Sequence, residues 1–266
     1  MSPTSSLSPD EVNTQARHLD SARLEKRSVE RLTLLHPDLS MPDAYAIQEA
    51  GIALRHSRGE RTLGLKMGLT SEAKRQQMGL ASPVFGELTD TMRVRDGGEF
   101  PLTGSIHPKI EPEIAFEIGR ELSGDISLEE ALAACTRAFA AMEILDSRYR
   151  DFKYFSLPDV VADNSSSSHF VISGEGLPLA GLALETLPIV MSVNGEEKQR
   201  ALGSAISGHP LRSVVQLCAL LAERGRVLPK GSIVLAGAAT VAEVLKPGDV
   251  VRTEIAGLGS VEVRIP

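Results

Sequence analysis

The sequence predicts an α+β fold in which an N-terminal helical region precedes a mixed, largely antiparallel β-sheet. Near the N-terminus, Ile47, Ala50 and Leu54 recur at steps of three and four residues, which is typical of one face of a helix. Near the C-terminus, the segments DVVRTEIAG and SVEVRI alternate apolar and polar residues, as half-buried strands do. Strands and helices do not alternate regularly between these ends, so a Rossmann or barrel architecture is disfavoured.

The sequence predicts that the chain has two parts, an N-terminal helical region and a larger domain. Residues 1–12 are rich in Ser and Pro and are expected to be frayed, whereas the following stretch is helical until Gly59 stops the pattern. We therefore expect a helical region over residues 1–60 and one larger domain over residues 61–266, a size that fits a single hydrophobic core.

Two further helices are indicated within the larger domain. Ser127 and Glu130 have the spacing of a capping box, and the apolar run after them predicts a helix that extends to Phe139. A second helix is predicted to begin near Pro210, at a first-turn position, and to end at Gly225.

Strands are indicated around these helices. The pair Asn194-Gly195 within LPIVMSVNGEEKQ is typical of a tight turn between two antiparallel strands. The segment GSIVLAG and the two C-terminal segments, which a turn at Gly257–Gly259 joins, predict three more strands.

The charge and composition of the chain exclude several classes of partner. The net charge is −7 and the pI about 5.5, and no basic stripe would bind a nucleic-acid backbone or an anionic membrane. No apolar run approaches the ~20 residues that span a bilayer, and the first residues, MSPTSSLSPDEVNT, lack the pattern of a signal peptide. We therefore expect a cytoplasmic protein without nucleic-acid or membrane partners. Cys135 and Cys218 lie in apolar, helix-like patterns, so two reduced core cysteines are expected.

The segment HPKIEPEIAFEIG carries the most informative pattern. In an extended strand, alternate side chains share a face, so Glu111 and Glu113 point one way while Ile114 and Phe116 point the other. Two carboxylates therefore converge. Pro112 between them cannot donate a hydrogen bond to a neighbouring strand, which predicts a sheet edge or a bulge where a cavity opens.

A third carboxylate, Glu143, lies in the apolar segment AFAAMEILDSRY. Burial of an unpaired charge is very costly, so a buried glutamate needs a cation nearby. Three carboxylates without a His or Cys cluster are hard oxygen ligands, which suit Mg²⁺ or Mn²⁺ rather than Zn²⁺. The alternative is that these glutamates are solvated residues on an exposed strand face.

Other polar residues admit two interpretations each. Lys66, flanked closely by glycines, is either a surface lysine with a buried stem or a catalytic residue. The segment DVVADNSSSSHFVIS is either a plain turn or a loop that supplies hydroxyl donors. Arg148 and Arg150 bind a distal substrate carboxylate, or they pair with Asp146 and Asp151. The GxSxG motif is absent, so a serine hydrolase is rejected.

Several long motifs, in order, resemble one enzyme family. The chain is similar to the family of 2-oxopent-4-enoate hydratases and 4-oxalocrotonate decarboxylases, within the fumarylacetoacetate-hydrolase-like superfamily. The resemblance covers nearly the whole chain and rests on the following segments: LKMGLTSEAKRQQMG, PVFGELTD, HPKIEPEIAFEIG, AMEILDSRY, DVVADNSSSSHFV, SGHPLRSVVQL, VLAGAATVAEVLKPGDVV and GLGSVEVRI. It implies a fumarylacetoacetate-hydrolase-like fold, with residues 61–266 as the catalytic domain.

The same resemblance implies roles for individual residues. The family's three metal-ligand glutamates match Glu111, Glu113 and Glu143. The catalytic lysine and serine match Lys66 and Ser166, with the neighbouring serines at 165 and 167 left open. The FGELTD segment also suggests Asp90 near the pocket.

The implied activity is metal-dependent decarboxylation of 2-oxohex-3-enedioate in meta-cleavage catabolism of aromatic compounds. DSRYRDFKYFSLPDVVADNSSSSHFV and AGAATVAEVL look more like decarboxylases than hydratases, so hydration of 2-hydroxypenta-2,4-dienoate is the alternative. A fumarylpyruvate-type hydrolase, which commonly uses a His–Glu pair, ranks after the hydratase, since no clear N-terminal His/Glu pattern indicates it. An inactive subunit that stabilises a partner is a further alternative, which loss of one of the three glutamates would have favoured. The resemblance further implies a small 2-oxo acid substrate, a homo-oligomer and a complex with a hydratase subunit.

Overall fold

The N-terminal region is helical, as predicted. The computed structural model describes residues 6–70, 82–152 and 156–266. Its helices are α1 (Pro9–Glu25), α2 (Leu32–Leu35), α3 (Met41–Ser57), α4 (Leu128–Ala134), α5 (Leu157–Ala162) and α6 (Leu211–Ala222). The expectation that residues 1–12 are frayed is wrong for its second half, because α1 already begins at Pro9, while residues 1–5 lie outside the described residues.

Capping explains where the two long N-terminal helices begin. Ser8 and Glu11 form a capping box at the start of α1, and Ser40 and Asp43 form a second one at the start of α3. The buried Asp43 carboxylate also accepts hydrogen bonds from Ser6, which ties the N-terminal segment to α3. Helices α1 and α3 pack against each other, and α3 packs against α5.

Thirteen strands form two sheets in the described part of the chain. The larger sheet has the order β2-β1-β10-β5-β6-β7-β3, with β11 beside β5, and the smaller has the order β4-β13-β12-β8-β9. The strands are β1 (Thr62–Gly68), β2 (Val84–Thr89), β3 (Arg93–Val94), β4 (Gly98–Glu99), β5 (Lys109–Ile118), β6 (Cys135–Leu145), β7 (Ser167–Ile172), β8 (Pro188–Val193), β9 (Glu196–Leu202), β10 (Ile233–Leu235), β11 (Glu243–Val244), β12 (Val250–Ile255) and β13 (Gly259–Arg264). Three pairings are parallel and the others antiparallel, which confirms the mixed, largely antiparallel prediction.

Strand β5 separates two hydrophobic clusters. Ile114 and Phe116 point into the main core, which the smaller sheet and the helices share, whereas Ala115 points into a small cluster with Phe170 and Leu235. The alternation predicted for this strand is therefore confirmed, and it places Glu111 and Glu113 on the face of the small cluster.

Two local predictions were wrong. The helix predicted to reach Phe139 ends at Ala134, and the next residues form β6. From residue 138 onward, each face of this strand meets a different cluster, and a strand that is buried on both faces is a nearly continuous apolar run rather than an alternating one. Cys135 thus begins a strand rather than lying in a helix; it and Cys218 are buried free thiols, as expected. Pro112 is also not at a sheet edge.

Pro112 instead faces an interruption inside the sheet. On one side, β5 pairs with β6 along its whole length. On the other side, β10 ends at Leu235 opposite Ala115 and pairing resumes only at Glu243 opposite Ile110. The carbonyl of Pro112 accepts from Ala239 in the connecting segment, at 3.1 Å, so its missing N–H falls where the regular ladder is broken.

Candidate metal centre

Three glutamates from two adjacent strands form a compact cluster. Glu111 on β5 lies directly opposite Glu143 on β6, and Glu113 follows two residues along the same face of β5. One carboxylate oxygen from each of the three lies within 4.8 Å of the others. The described residues contain this one group of three or more acidic, His or Cys side chains at metal-binding spacing.

Burial makes this cluster electrostatically unfavourable without a cation. Glu113 and Glu143 are completely buried, so the exposed-strand alternative is wrong for both. Desolvation raises the pKa of Glu113 well above its usual value, and the charges of Glu143 and Glu111 raise it further. Desolvation also raises the pKa of Glu143, which Lys66 and Ser167 partly oppose. A divalent cation would remove the need to protonate these carboxylates.

Three donors orient the two buried glutamates. The Lys66 ammonium donates to Glu143 Oε2 at 3.1 Å, and the Ser167 hydroxyl donates to Glu143 Oε1 at 2.8 Å. The backbone N–H of Gly237 donates to Glu113 Oε2 at 2.7 Å. Glu113 Oε1 is buried and has no hydrogen-bond partner within the described part of the chain.

The orphaned oxygen of Glu113 and the all-carboxylate donor set fit a hard divalent cation. Buried acceptors without a partner are rare, and a metal ion satisfies such an oxygen as a hydrogen bond would. Carboxylates suit Mg²⁺ or Mn²⁺, whereas Zn²⁺ prefers nitrogen and sulfur ligands. Glu111, Glu113 and Glu143 would hold the ion and would leave coordination positions for a substrate.

Lys66 is buried, so its interpretation as a surface lysine is wrong. The side chain is 3% exposed and forms an ion pair with the fully buried Glu143. Its strand, β1, lies between β2 and β10, where Lys66 is opposite Gly86 and Leu235. Part of the motif that contains this lysine, residues 71–81, lies outside the described residues.

The serine loop contacts the cluster through the hydroxyl of Ser167, a neighbour of the Ser166 assigned by resemblance. Ser167, at the start of β7, binds Glu143, whereas the Ser165 hydroxyl donates to the carbonyl of Phe85. Ser166 is buried, with its backbone N–H bonded to Asp163. A catalytic role for Ser166 stays a prediction; no sequence pattern distinguished these adjacent hydroxyls.

This loop has an unusual backbone that β2 supports. Asn164, Ser165 and Ser166 have φ angles of 49°, 51° and 59°, in the left-handed region that side chains disfavour. Two hydrogen bonds to β2 stabilise this backbone conformation. The Asn164 side chain accepts from the N–H of Glu87 at 2.8 Å and donates to the carbonyl of the same residue at 2.9 Å. A side chain at Gly86 would not fit, because its Cβ would lie 2.7 Å from the Asn164 carbonyl oxygen.

Asp90 is not brought to the glutamate cluster. It follows the end of β2 near Arg61, whereas Lys66 is opposite the Gly86 part of that strand. Its carboxylate accepts from the backbone N–H of Arg61 at 3.0 Å, and these hydrogen bonds lower its pKa. These contacts stabilise the turn after β2, and a role for Asp90 in the pocket stays a prediction.

The two arginines considered for a distal carboxylate have other partners. The buried Arg148 forms an ion pair with Asp163 and donates to the carbonyl of Asp146. Arg150 forms an exposed ion pair with Glu30 at 2.9 Å.

Gly237, whose N–H donates to Glu113, was not predicted from the sequence. The AGAA segment that contains Gly237 is a recognisable run of small residues after a strand.

Comparisons with known proteins identify the family of the chain. A family model described as fumarylacetoacetate (FAA) hydrolase C-terminal matches residues 67–266. A 4-oxalocrotonate decarboxylase of Pseudomonas sp is 44% identical over 249 residues, which are 94% of this chain and 96% of that protein. A 2-keto-4-pentenoate hydratase of Paraburkholderia xenovorans (strain LB400) is 36% identical over 256 residues, covering 96% of this chain and 95% of the relative.

A solved structure extends this similarity to the fold. The 4-oxalocrotonate decarboxylase from Pseudomonas putida G7, complexed with magnesium and adipate, matches with a TM-score of 0.96 at 39% identity. The match covers 99% of this chain and 100% of the other, which confirms the predicted fold class. Within the described residues, no helix is long and apolar enough to cross a bilayer. The chain belongs to the fumarylacetoacetate hydrolase family.

Proposed function

We propose that this protein is a metal-dependent lyase that converts 2-oxohex-3-enedioate (4-oxalocrotonate) to 2-hydroxypenta-2,4-dienoate and CO₂. The observation that carries the proposal is the cluster of Glu111, Glu113 and Glu143, the last two of them buried. One oxygen of Glu113 has no hydrogen-bond partner among the described residues, and the Lys66 ammonium lies beside Glu143. A 2-oxo acid presents two adjacent oxygens that suit the open positions of a hard cation. Such a reaction belongs to the meta-cleavage catabolism of aromatic compounds.

Loss of CO₂ from this substrate requires an acceptor for electrons at C2. The C5–C6 bond breaks and its electron pair forms the C4–C5 double bond. The electrons of the C3–C4 double bond move to C2–C3, and negative charge develops on the C2 oxygen, which takes up a proton. A divalent cation at the three glutamates would supply Lewis-acid polarisation of the C2 carbonyl. Apart from the proton, this decarboxylation requires no oxidant, reductant or other co-reactant.

The side chains around the cluster provide charge and orientation. Lys66, as a buried ammonium, would stabilise the negative charge that develops on the C2 oxygen. Ser167 and the N–H of Gly237 hold the carboxylates of Glu143 and Glu113 in fixed directions. The geometry of the acidic side chains is thus prepared before a substrate binds.

The surroundings of the cluster favour decarboxylation over hydration. Ala141 is opposite Glu113, and Phe170 is opposite Glu143, so each buried glutamate has an apolar cross-strand neighbour. An apolar wall does not position a water molecule for addition to a diene. The 44% identity to a decarboxylase against 36% to a hydratase points the same way, and 2-oxopent-4-enoate hydratase remains the alternative.

The test is the product formed from 2-oxohex-3-enedioate with Mg²⁺. We expect the protein to release CO₂. This activity should disappear after treatment with EDTA and return on addition of Mg²⁺ or Mn²⁺. Hydration of 2-hydroxypenta-2,4-dienoate by the same preparation should be slow or absent. Full activity in excess EDTA after dialysis would contradict the metal requirement, and water addition at a rate equal to CO₂ release would favour the hydratase.

The proposal also includes the oligomeric state of the protein and its cellular location. We infer a homo-oligomer that joins a hydratase subunit, because the dienol product is unstable and a neighbouring hydratase would consume it. A strictly monomeric sedimentation profile at working concentration would contradict the first part. The cytoplasmic location expected from the sequence stays a prediction.

A further inference from the structure

The substrate of the proposed reaction has a second carboxylate that needs a cation, and the following inference rests on that proposed function. Arg148 and Arg150 were the residues considered for this task. Arg148 is paired with the buried Asp163, and Arg150 with Glu30. Both arginines therefore already have carboxylate partners.

Lys109 lies on the face of β5 that carries the glutamates. Because side chains alternate along a strand, Lys109, Glu111 and Glu113 project to the same side. Residues two apart in a strand are separated by about 7 Å, so Lys109 stands one pleat beyond Glu111, toward the end of β5. Leu145 and Val244 flank it on the neighbouring strands, and Val244 is exposed, so this end of the face opens to solvent.

The ammonium of Lys109 is positioned by an aromatic ring. Its Nζ lies 4.2 Å from the centroid of the Phe152 ring. The same ring packs edge-on against His107, whose Nε2 is 3.0 Å from the carbonyl oxygen of Tyr149. A ring attracts an ammonium weakly, by about 0.5–1 kcal/mol, and does not occupy its three N–H donors. Among the described residues, no carboxylate forms an ion pair with Lys109.

We propose that Lys109 binds the distal carboxylate of a six-carbon 2-oxo diacid whose 2-oxo acid end lies at the glutamate cluster. Four bonds separate C2 from C6, which corresponds to roughly 5 Å in an extended chain, since three bonds span 3.8 Å between consecutive Cα atoms. A lysine one pleat beyond Glu111, with a long and flexible stem, has the reach for a carboxylate at that distance.

The proposed contact should determine substrate choice rather than rate. During decarboxylation, the charge of the distal carboxylate leaves that end of the molecule and appears at the C2 oxygen. An ammonium at the distal end therefore stabilises the bound substrate more than the transition state, in contrast to Lys66. Removal of the Lys109 charge should raise KM and leave kcat unchanged or higher, whereas removal of the Lys66 charge should lower kcat.

Two ligands that differ only in the distal carboxylate test this proposal without turnover. 2-Oxohexanedioate and 2-oxohexanoate share the 2-oxo acid end and lack the C3–C4 double bond that conducts electrons to C2. Their affinities should be measured by calorimetry with saturating Mg²⁺ for the wild type, Lys109→Met, Lys109→Arg and the control Lys198→Met. Lys198 lies on β9 of the smaller sheet, paired with Glu196 at 2.6 Å.

We expect the wild type and Lys198→Met to prefer the diacid, Lys109→Met to lose about tenfold or more of that preference, and Lys109→Arg to recover most of it. Affinity for the monoacid and for Mg²⁺ should stay the same in all four proteins. An unchanged preference in Lys109→Met, or an equal loss for both ligands, would overturn the proposal. A failure of the proposed function appears separately, as a wild type that releases no CO₂ from 2-oxohex-3-enedioate.

Discussion

The Lys66 ammonium and the Glu143 carboxylate form an ion pair at 3.1 Å, with side chains 3% and 0% exposed. Lys66→Met keeps the apolar stem and removes the charge. If the ammonium stabilises charge that develops mainly in the transition state, kcat and kcat/KM should fall together, by on the order of 10²-fold or more. Steady-state kinetics with 2-oxohex-3-enedioate measure this effect, and kinetics like those of the wild type would remove Lys66 from the mechanism.

Glu143→Gln should weaken metal binding while the fold survives, because the amide keeps the volume of the side chain and removes one negative ligand. Calorimetric titration with Mg²⁺ or Mn²⁺ gives the affinity, and circular dichroism reports the fold. Glu117→Gln is the matched control, since Glu117 shares the face of β5 but lies farther along and binds Thr136. Unfolding of Glu143→Gln without a change in metal affinity would indicate a purely structural role.

Gly86→Ala should displace the serine loop and reduce activity at least tenfold. The new Cβ would lie 2.7 Å from the carbonyl oxygen of Asn164, a backbone atom that cannot move independently of the loop. The loop carries Ser167 at its end, so a shift would disturb the hydrogen bond to Glu143. Gly51→Ala in α3 is the control, because no atom lies within 4 Å of its added Cβ. Equal activity in both variants would contradict this view of Gly86.

His169 should make the protein less stable in acid. Burial, assisted by the positive charges of Arg55 and Arg23, lowers the pKa of His169 to about 4 from a usual value of 6.5. The unfolded chain therefore binds a proton between these values that the folded protein does not. The stabilisation by neutral His169 is complete above pH 6.5 and is lost as the pH falls through 4, by up to about 3 kcal/mol.

The corresponding measurement is the free energy of unfolding by denaturant at pH 7 and at pH 4.5. His169→Gln should lose less stability than the wild type between these two values, whereas substitution of the exposed His56 should change the difference little. Parallel curves for the wild type and His169→Gln would contradict the prediction.

The sequence predicted the glutamates well because local rules apply to them. Alternation along one strand was sufficient for Glu111 and Glu113, and a charge in an apolar segment was sufficient for Glu143. The same segment misled the secondary-structure prediction, because its apolar residues continue from α4 into the buried part of β6, and no period distinguishes such a strand from a helix.

Long-range geometry explains what the sequence could not predict. The pairing of Lys66 with Glu143 depends on β1 and β6 lying in one sheet, with β10 and β5 between them. Similarly, the contact of Ser167 with Glu143 depends on the three left-handed residues that precede β7. The two alternatives considered for Arg148 did not include Asp163, because Asp163 is farther along the sequence than Asp146 and Asp151.

Pro112 acts as a spacer in the sheet. An N–H at this position could donate to the connection between β10 and β11, from which Ala239 already donates to the carbonyl of Pro112. Pro112 lacks that donor, which weakens the pairing where the regular ladder is broken, and within this break the N–H of Gly237 donates to the Glu113 carboxylate. A single residue without an N–H thus lies at the gap in the sheet beside which two carboxylates of β5 are held.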